Sequence, residues 1–138
     1  MEHPEWLGDF SYENLISLIE NGSKIWIYYK DGEIVSSMMF IPSSKESAAK
    51  LGFTEYDYSK IVDYGPMMVN SKYIGNNLQF QMIKVLDDYS RKIGLEYAVS
   101  TVHPDNIFSI KNLLKADFVQ VDQKLFSRGL RNIYFKKL

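Results

Sequence analysis

The chain of 138 residues contains no cysteine, so a disulfide framework, a thiolate zinc site and a cysteine nucleophile are all excluded. Imidazoles are almost as scarce. Only His3 and His103 are present, which gives no basis for a His-rich metal site, and the expected metal ligands are none. Neither sign of charge dominates: 16 Lys+Arg against 17 Asp+Glu leave a formal charge of −1, so nucleic acid and anionic membranes meet no general attraction. No apolar run approaches the roughly 20 residues that cross a bilayer. The opening Met1-Glu2-His3-Pro4-Glu5 lacks the basic start and apolar stretch of a secretory signal. These absences predict a soluble, cytoplasmic protein with neither nucleic acid nor membrane among its partners.

What is present suits one domain over residues 1–138, because 46% hydrophobic residues suffice for a core and no linker, repeat or low-complexity tract interrupts them. Tyr12, Leu15, Ile16, Leu18 and Ile19 fit a helical stripe over Ser11 to Glu20, with Gly22 as its stop. Lys24 to Lys30 and Ile34 to Ile41 read as two strands joined by the tight turn Asp31-Gly32. Ser43 with Glu46 resembles a capping box for a short helix to Lys50, closed by Gly52. The aromatic segment Phe53 to Tyr58 follows, read as an insertion near the substrate side. A strand from Ile61 to Val69 precedes a turn over Asn70 to Asn76. Leu78, Met82, Val85, Leu86, Tyr89 and Ile93 then recur at helical spacing, with Asp87 and Arg91 among the polar residues on the wet side. Leu95 to Val102 reads as a strand, Asp105 or Asn106 as the cap of a helix containing Ile107, Ile110, Leu113 and Leu114, and Phe118 onward as strand. A turn over Ser127 to Asn132 leads to a last strand, Ile133 to Lys137. The expected order is α-β-β-(α)-β-α-β-α-β-β, a mixed α/β layer structure.

The run from Tyr64 to Gln79 joins a strand to a long helix and carries the most information. The first N–H groups of a helix lack internal partners and lie at the positive end of its dipole, so a loop that delivers them together can cradle a pyrophosphate. Gly75 allows close approach of backbone to ligand, and Asn76 and Asn77 tolerate positive φ. The same residues also suit an ordinary strand-to-helix turn.

This run resembles the acyl-CoA pyrophosphate loop of GNAT acyltransferases, commonly Arg/Gln-x-x-Gly-x-Gly/Ala after Val-x-Pro-x-Tyr. Val69, Tyr73, Gly75 and Leu78 match; Ser71, Ile74, Asn77 and Gln79 stand where proline, arginine, glycine and a second small residue are common. A second segment, Val102 to Phe118, is similar to the family's Asn-x-x-Ala/Ser helix ending in Gly-Phe, with Asn106, Ser109 and Phe118 in register. Asp117 replaces the glycine, and Leu113 lies where many members carry the tyrosine that protonates the departing thiolate. The resemblance implies a GNAT-like α/β fold, a central and mostly antiparallel sheet with helices on both faces. Such domains open with a strand and helix for which only ten residues precede Ser11. Either those elements are missing or the chain begins downstream of the usual start, and a missing strand would leave an edge that a homodimer could cover.

The resemblance further implies acetyl-CoA as cosubstrate and transfer of its acetyl group to a primary amine of a small molecule or peptide. Met68, Val69, Ile74, Gly75, Asn76, Asn77, Leu78, Gln79, Asn106 and Ser109 would bind the cofactor, the pantetheine arm lying where Ile61 to Val69 splays from Leu95 to Val102. Asp63 and Tyr64, at the strand end nearest the acyl site, are the candidates to relay the amine proton, beside the plainer readings of a solvated strand-end carboxylate and a packing or rim tyrosine. His103, Trp26, Tyr28 and Tyr29 read as structural residues. Glu55, Tyr56, Asp57 and Tyr58 would suit a cationic amine, or form a polar loop. Two competing readings remain: a non-catalytic acyl-CoA-binding or regulatory module, motivated by Ile74, Asn77 and Leu113, and an interaction domain without a CoA site.

Overall fold

The computed structural model describes residues 15–20, 22–75 and 77–138. Among them, β1 (Leu15–Glu20), β2 (Ser23–Lys30), β3 (Glu33–Pro42), β4 (Ile61–Val69), β5 (Tyr97–Val102), β6 (Val119–Phe126) and β7 (Gly129–Lys137) form one sheet in the order β1-β2-β3-β4-β5-β7-β6. The helices are α1 (Lys45–Leu51), α2 (Leu78–Lys92) and α3 (Ile107–Lys115). Every neighbouring pair of strands is antiparallel except β4 and β5.

The helix read over Ser11 to Glu20 is corrected: Leu15–Glu20 is a strand paired with β2, while residues 11–14 lie outside the described residues. Six residues are too few to separate the two periods, and the following Asn-Gly dipeptide, with Gly22 at φ 79°, is a strong hairpin signal that outweighs them. A strand therefore stands before β2, and among the described residues β1 and β6 are the two edges of the sheet. The second hairpin forms as expected, since Asp31 (φ 53°) and Gly32 (φ 75°) both adopt the left-handed conformation of a tight β2–β3 turn.

Two layers of core sandwich the sheet. On one face α2 and α3 pack against β3, β4, β5 and β7, burying Phe40, Val62, Met82, Ile83, Leu86 and Phe118. Each such side chain contributes on the order of 1.5–3 kcal/mol. On the other face α1 covers a smaller cluster of Ala48, Phe53, Ile61, Val99 and Ile133. Its N-cap is Ser44 rather than Ser43, accepting from the Ser47 N–H, and Gly52 closes it at φ 89°. Phe53 stacks on Phe135, and Tyr56 packs at a tilt against Phe135 and edge-on against Tyr97, so this segment anchors α1 to the sheet. The last strand begins at Gly129, leaving only Ser127 and Arg128 between β6 and β7, and β5 begins at Tyr97.

Candidate functional site

The site begins with a departure from regular pairing. Met38 pairs with Met67 and Phe40 with Tyr64, so Gly65-Pro66 of β4 together oppose the single residue Met39 of β3. Such a bulge bends the strand that carries it. Glycine lets the strands approach closely here, because a Cβ at position 65 would lie 2.9 Å from Ile41 Cδ1 and 3.1 Å from Met39 Cβ, and both would have to shift. On its other side β4 pairs with β5 only through Ile61–Tyr97, Val62–Ala98 and Asp63–Val99. Beyond Asp63 the strands part, which is the splay expected between Ile61 to Val69 and Leu95 to Val102. At the fork, Ser100 Oγ donates to the Tyr64 carbonyl at 3.1 Å.

The cleft has two lobes. One, of about 350 Å³, is walled by residues that include Asp63, Thr101, His103, Leu113, Arg128 and Arg131. The other, of about 430 Å³, is formed by Met67, Val69, Ile74, Gln79, Asn106, Phe108 and Ser109. Met67, Gln79, Asn106 and Ser109 line both, which makes them one continuous groove. Five of the residues expected to hold the cofactor, Val69, Ile74, Gln79, Asn106 and Ser109, thus converge from three separate elements. The Met68 side chain instead points to solvent at 52% exposure, which leaves only its backbone for the groove.

The second lobe runs toward the N-terminus of α2. Asn70 caps a single 3-10 turn over Ser71–Tyr73 and donates to Glu33 Oε1 at 3.0 Å, which fixes the exit of β4. Gly75 (φ 93°) and Asn77 (φ 59°) then turn the chain into the helix through left-handed conformations. Asn76 lies outside the described residues. Asn77 makes no side-chain cap to α2, and the first turn of the helix carries no acidic residue. Within the helix the N–H groups of Leu78 and Gln79 have no partner, and among the described residues Asn77 does not cap them. Lys115 of α3 sits beside them, its Nζ donating to Asn77 Oδ1 at 3.2 Å. An unpaired helix terminus with an adjacent ammonium fits a pyrophosphate. Buried Gln79 donates to Ser109 Oγ and accepts from Asn112 Nδ2, both at 3.1 Å, bolting α2 to α3. Asn106 caps α3 by accepting from the Ser109 N–H at 3.2 Å.

The two proton-relay candidates separate. Asp63 faces the first lobe, and burial pushes its carboxyl up to about 6, with the Arg128 guanidinium pulling the other way. Tyr64, the next residue, turns its side chain to the opposite face of the sheet. Its hydroxyl is buried under α2, donating to Asp87 Oδ1 at 2.7 Å with Ser90 Oγ at 3.3 Å. Burial and the Asp87 charge push its phenol far up. Tyr64 is corrected from proton relay to core residue. Asp87 is corrected with it: it leaves the wet side of α2 for a buried ion pair with Lys136 at 2.5 Å, and Lys136 also donates to the Ala116 carbonyl. Asp88 takes the surface partner, Arg91, at 3.6 Å.

His103 stands on the cleft wall with Nδ1 accepting from the Asp105 N–H at 3.0 Å. Leu113 fills the wall at 3% exposure, bringing no hydroxyl to the cleft. Glu55 to Tyr58 line neither lobe; Asp57 instead binds the Ser59 hydroxyl and N–H. Ser100, Lys115, Arg128 and Arg131 are the site residues that sequence reasoning missed. A glycine-proline pair inside a strand signals a bulge, and could have pointed to the fork.

No family model matches the chain, and no curated protein matches it in sequence. Solved structures do. An aminoglycoside acetyltransferase in complex with coenzyme A and kanamycin superposes with a TM-score of 0.68 at 13% identity, over 83% of this chain and 66% of that one. YncA of Salmonella typhimurium, with its cofactor acetyl-CoA, gives 0.65 at 18%, over 85% and 65%. The GNAT domain of an S. lividans protein gives 0.67 at 14%, over 84% and 61%. The chain spans just under two thirds of the length of each. Its fold is the GNAT acyltransferase fold, mixed α/β with a mostly antiparallel sheet between helices.

Proposed function

We propose that this GNAT-fold chain is an acetyl-CoA-dependent N-acyltransferase that moves an acetyl group to a primary amine. The observation that carries the reading is the fork beyond Asp63–Val99, which opens a groove from a half-buried carboxylate to the unpaired N-terminus of α2. Acetyl-CoA, when bound, supplies an activated thioester. The loop from Ile74 to Gln79 holds its pyrophosphate, and the backbone of β4 around Met68 and Val69, released from β5, holds its arm. An amine entering the first lobe attacks the acyl carbonyl, forming a C–N bond as the C–S bond breaks. Backbone N–H groups near Met68 and Val69 steady the developing negative charge on oxygen. Asp63 accepts the proton that the amine gives up.

Thermal unfolding with and without acetyl-CoA tests the cofactor, because a ligand of the native state raises stability with concentration. A saturable shift is expected, and it should vanish in Gly75→Val, where a β-branched residue would be held at φ 93°. No shift at millimolar acetyl-CoA sinks the reading. A second reading, an acyl-CoA-binding module without turnover, draws on Leu113, which puts no acid beside the leaving sulfur. Amine-dependent release of free CoA thiol excludes it.

A further inference from the structure

The first lobe holds an asymmetry of charge that acyl transfer alone does not require. Asp63 marks one end of it, and Arg128 and Arg131 line the same cavity. Arg128 sits in the two-residue turn between β6 and β7, its Nη2 donating to Thr101 Oγ1 at 3.2 Å. Arg131 donates through Nη1 to the Leu130 carbonyl at 2.7 Å and through Nη2 to the Arg128 carbonyl at 3.3 Å. Both guanidinium groups are thus oriented by neutral oxygens. Among the described residues neither stands at ion-pair distance from a carboxylate, Arg128 acting on Asp63 only through space, whereas Lys50, Lys72, Arg91, Lys124 and Lys136 each do. Two planar cations with unused donors, set in a cavity, are suited to a bidentate anion.

From this we infer that the acceptor is a small amine that also carries a carboxylate, an amino-acid-like zwitterion, with Arg128 and Arg131 as its specificity-determining residues. The inference rests on the acyltransferase reading and names the substrate class of that site. Spacing sets the size. Thr101, to which Arg128 is tied, lies two residues beyond Val99, the partner of Asp63, and so about 7 Å along β5. An amine within hydrogen-bond reach of Asp63 and a carboxylate within reach of Arg128 are then separated by a few carbon atoms. A polycation would instead place a second positive charge against two guanidinium groups. The acidic segment Glu55 to Asp57, which would favour such a cation, is outside the cavity.

The test uses matched pairs that differ only in the carboxylate: lysine and cadaverine, tyrosine and tyramine, histidine and histamine, tryptophan and tryptamine. Release of CoA from acetyl-CoA is followed for each, and each is titrated against the CoA-saturated protein by thermal unfolding, so that binding is read without turnover. At least one zwitterion should show a kcat/KM tenfold or more above that of its decarboxylated partner. In Arg128→Gln and Arg131→Gln that ratio should fall at least tenfold, through KM. Preference for the decarboxylated amines, an unchanged ratio in both variants, a phosphate-bearing amine such as phosphoethanolamine outrunning every amino acid, or no shift of the CoA-saturated protein by any amino acid each overturns the inference. Any of these results in a protein that binds acetyl-CoA leaves the acyltransferase reading standing. Failure to bind acetyl-CoA removes that reading itself.

Discussion

Ser100 Oγ and the Tyr64 carbonyl, 3.1 Å apart, form a link between β5 and β4 where the two strands part. Regular pairing ends one residue earlier on each strand, at Asp63 and Val99. The side-chain bond therefore sits at the apex of the groove and holds the carbonyl that the fork would leave bare.

Ser100→Ala removes this donor from a buried acceptor and should cost about 1–3 kcal/mol in urea unfolding. It should also raise KM for acetyl-CoA more than it lowers kcat, because the groove widens while Asp63 stays in place. An unchanged KM would mean that the fork is held by the bulge alone.

Gly65→Ala tests the bulge from the other side. Its new methyl would meet Ile41 Cδ1 at 2.9 Å and Met39 Cβ at 3.1 Å, and overpacking of this kind costs about 1–3 kcal/mol. A variant as stable as the parent would show that β3 yields freely, and that close packing does not set the bend.

Asp63 ties acidity to stability. Its carboxyl titrates near 6 in the fold, raised by burial from an ordinary 3.8. Between those values the native state keeps a proton that the unfolded chain has released, so this group makes stability fall as pH rises. Asp63→Asn should therefore be more stable than the parent at pH 7, with the gain gone below about pH 4. The same substitution should remove the acid limb of kcat/KM, which in the parent rises through about pH 6 as Asp63 ionises. Arg128→Gln should move that limb to higher pH, since the guanidinium is what opposes the effect of burial.

The buried pair predicts a large effect far from the cleft. Lys136→Met leaves Asp87 charged at 6% exposure without its ion-pair partner and with the Tyr64 hydroxyl still donating to it, at a cost of about 3–5 kcal/mol. Chemical denaturation measures it, and a loss under 1 kcal/mol would indicate that water reaches Asp87.

Local patterns carried much of the architecture. The strand read over Ile61 to Val69 has those bounds in the structure, and α2 follows from Leu78 as its apolar spacing requires. Gly75 and Asn77 were legible because positive φ is a property of residue type. Asp87 was not, because its partner lies 49 residues away and helical arithmetic sees only Arg91, four positions on. Tyr64 beside Asp63 shows the same limit: adjacency in sequence puts two strand residues on opposite faces, and only the packing says which face holds the cleft. Arg128 and Arg131 gave no signal of any kind, since a tight turn and a strand end become a cavity wall only once β7 has inserted between β5 and β6.

Asp63 and Arg128 meet the same cavity from different elements. Asp63 sits at mid-sheet on β4, and altering its surroundings disturbs the core. Arg128, by contrast, hangs on a hairpin of two residues at the far side of the sheet, joined to the cleft through one bond to Thr101. Lengthening that hairpin or exchanging its residues leaves β4, α2 and the phosphate-facing loop untouched. Acceptor choice, where these arginines set it, can then drift or be redesigned on an unchanged backbone, with the acidity of Asp63 shifting as Arg128 is exchanged.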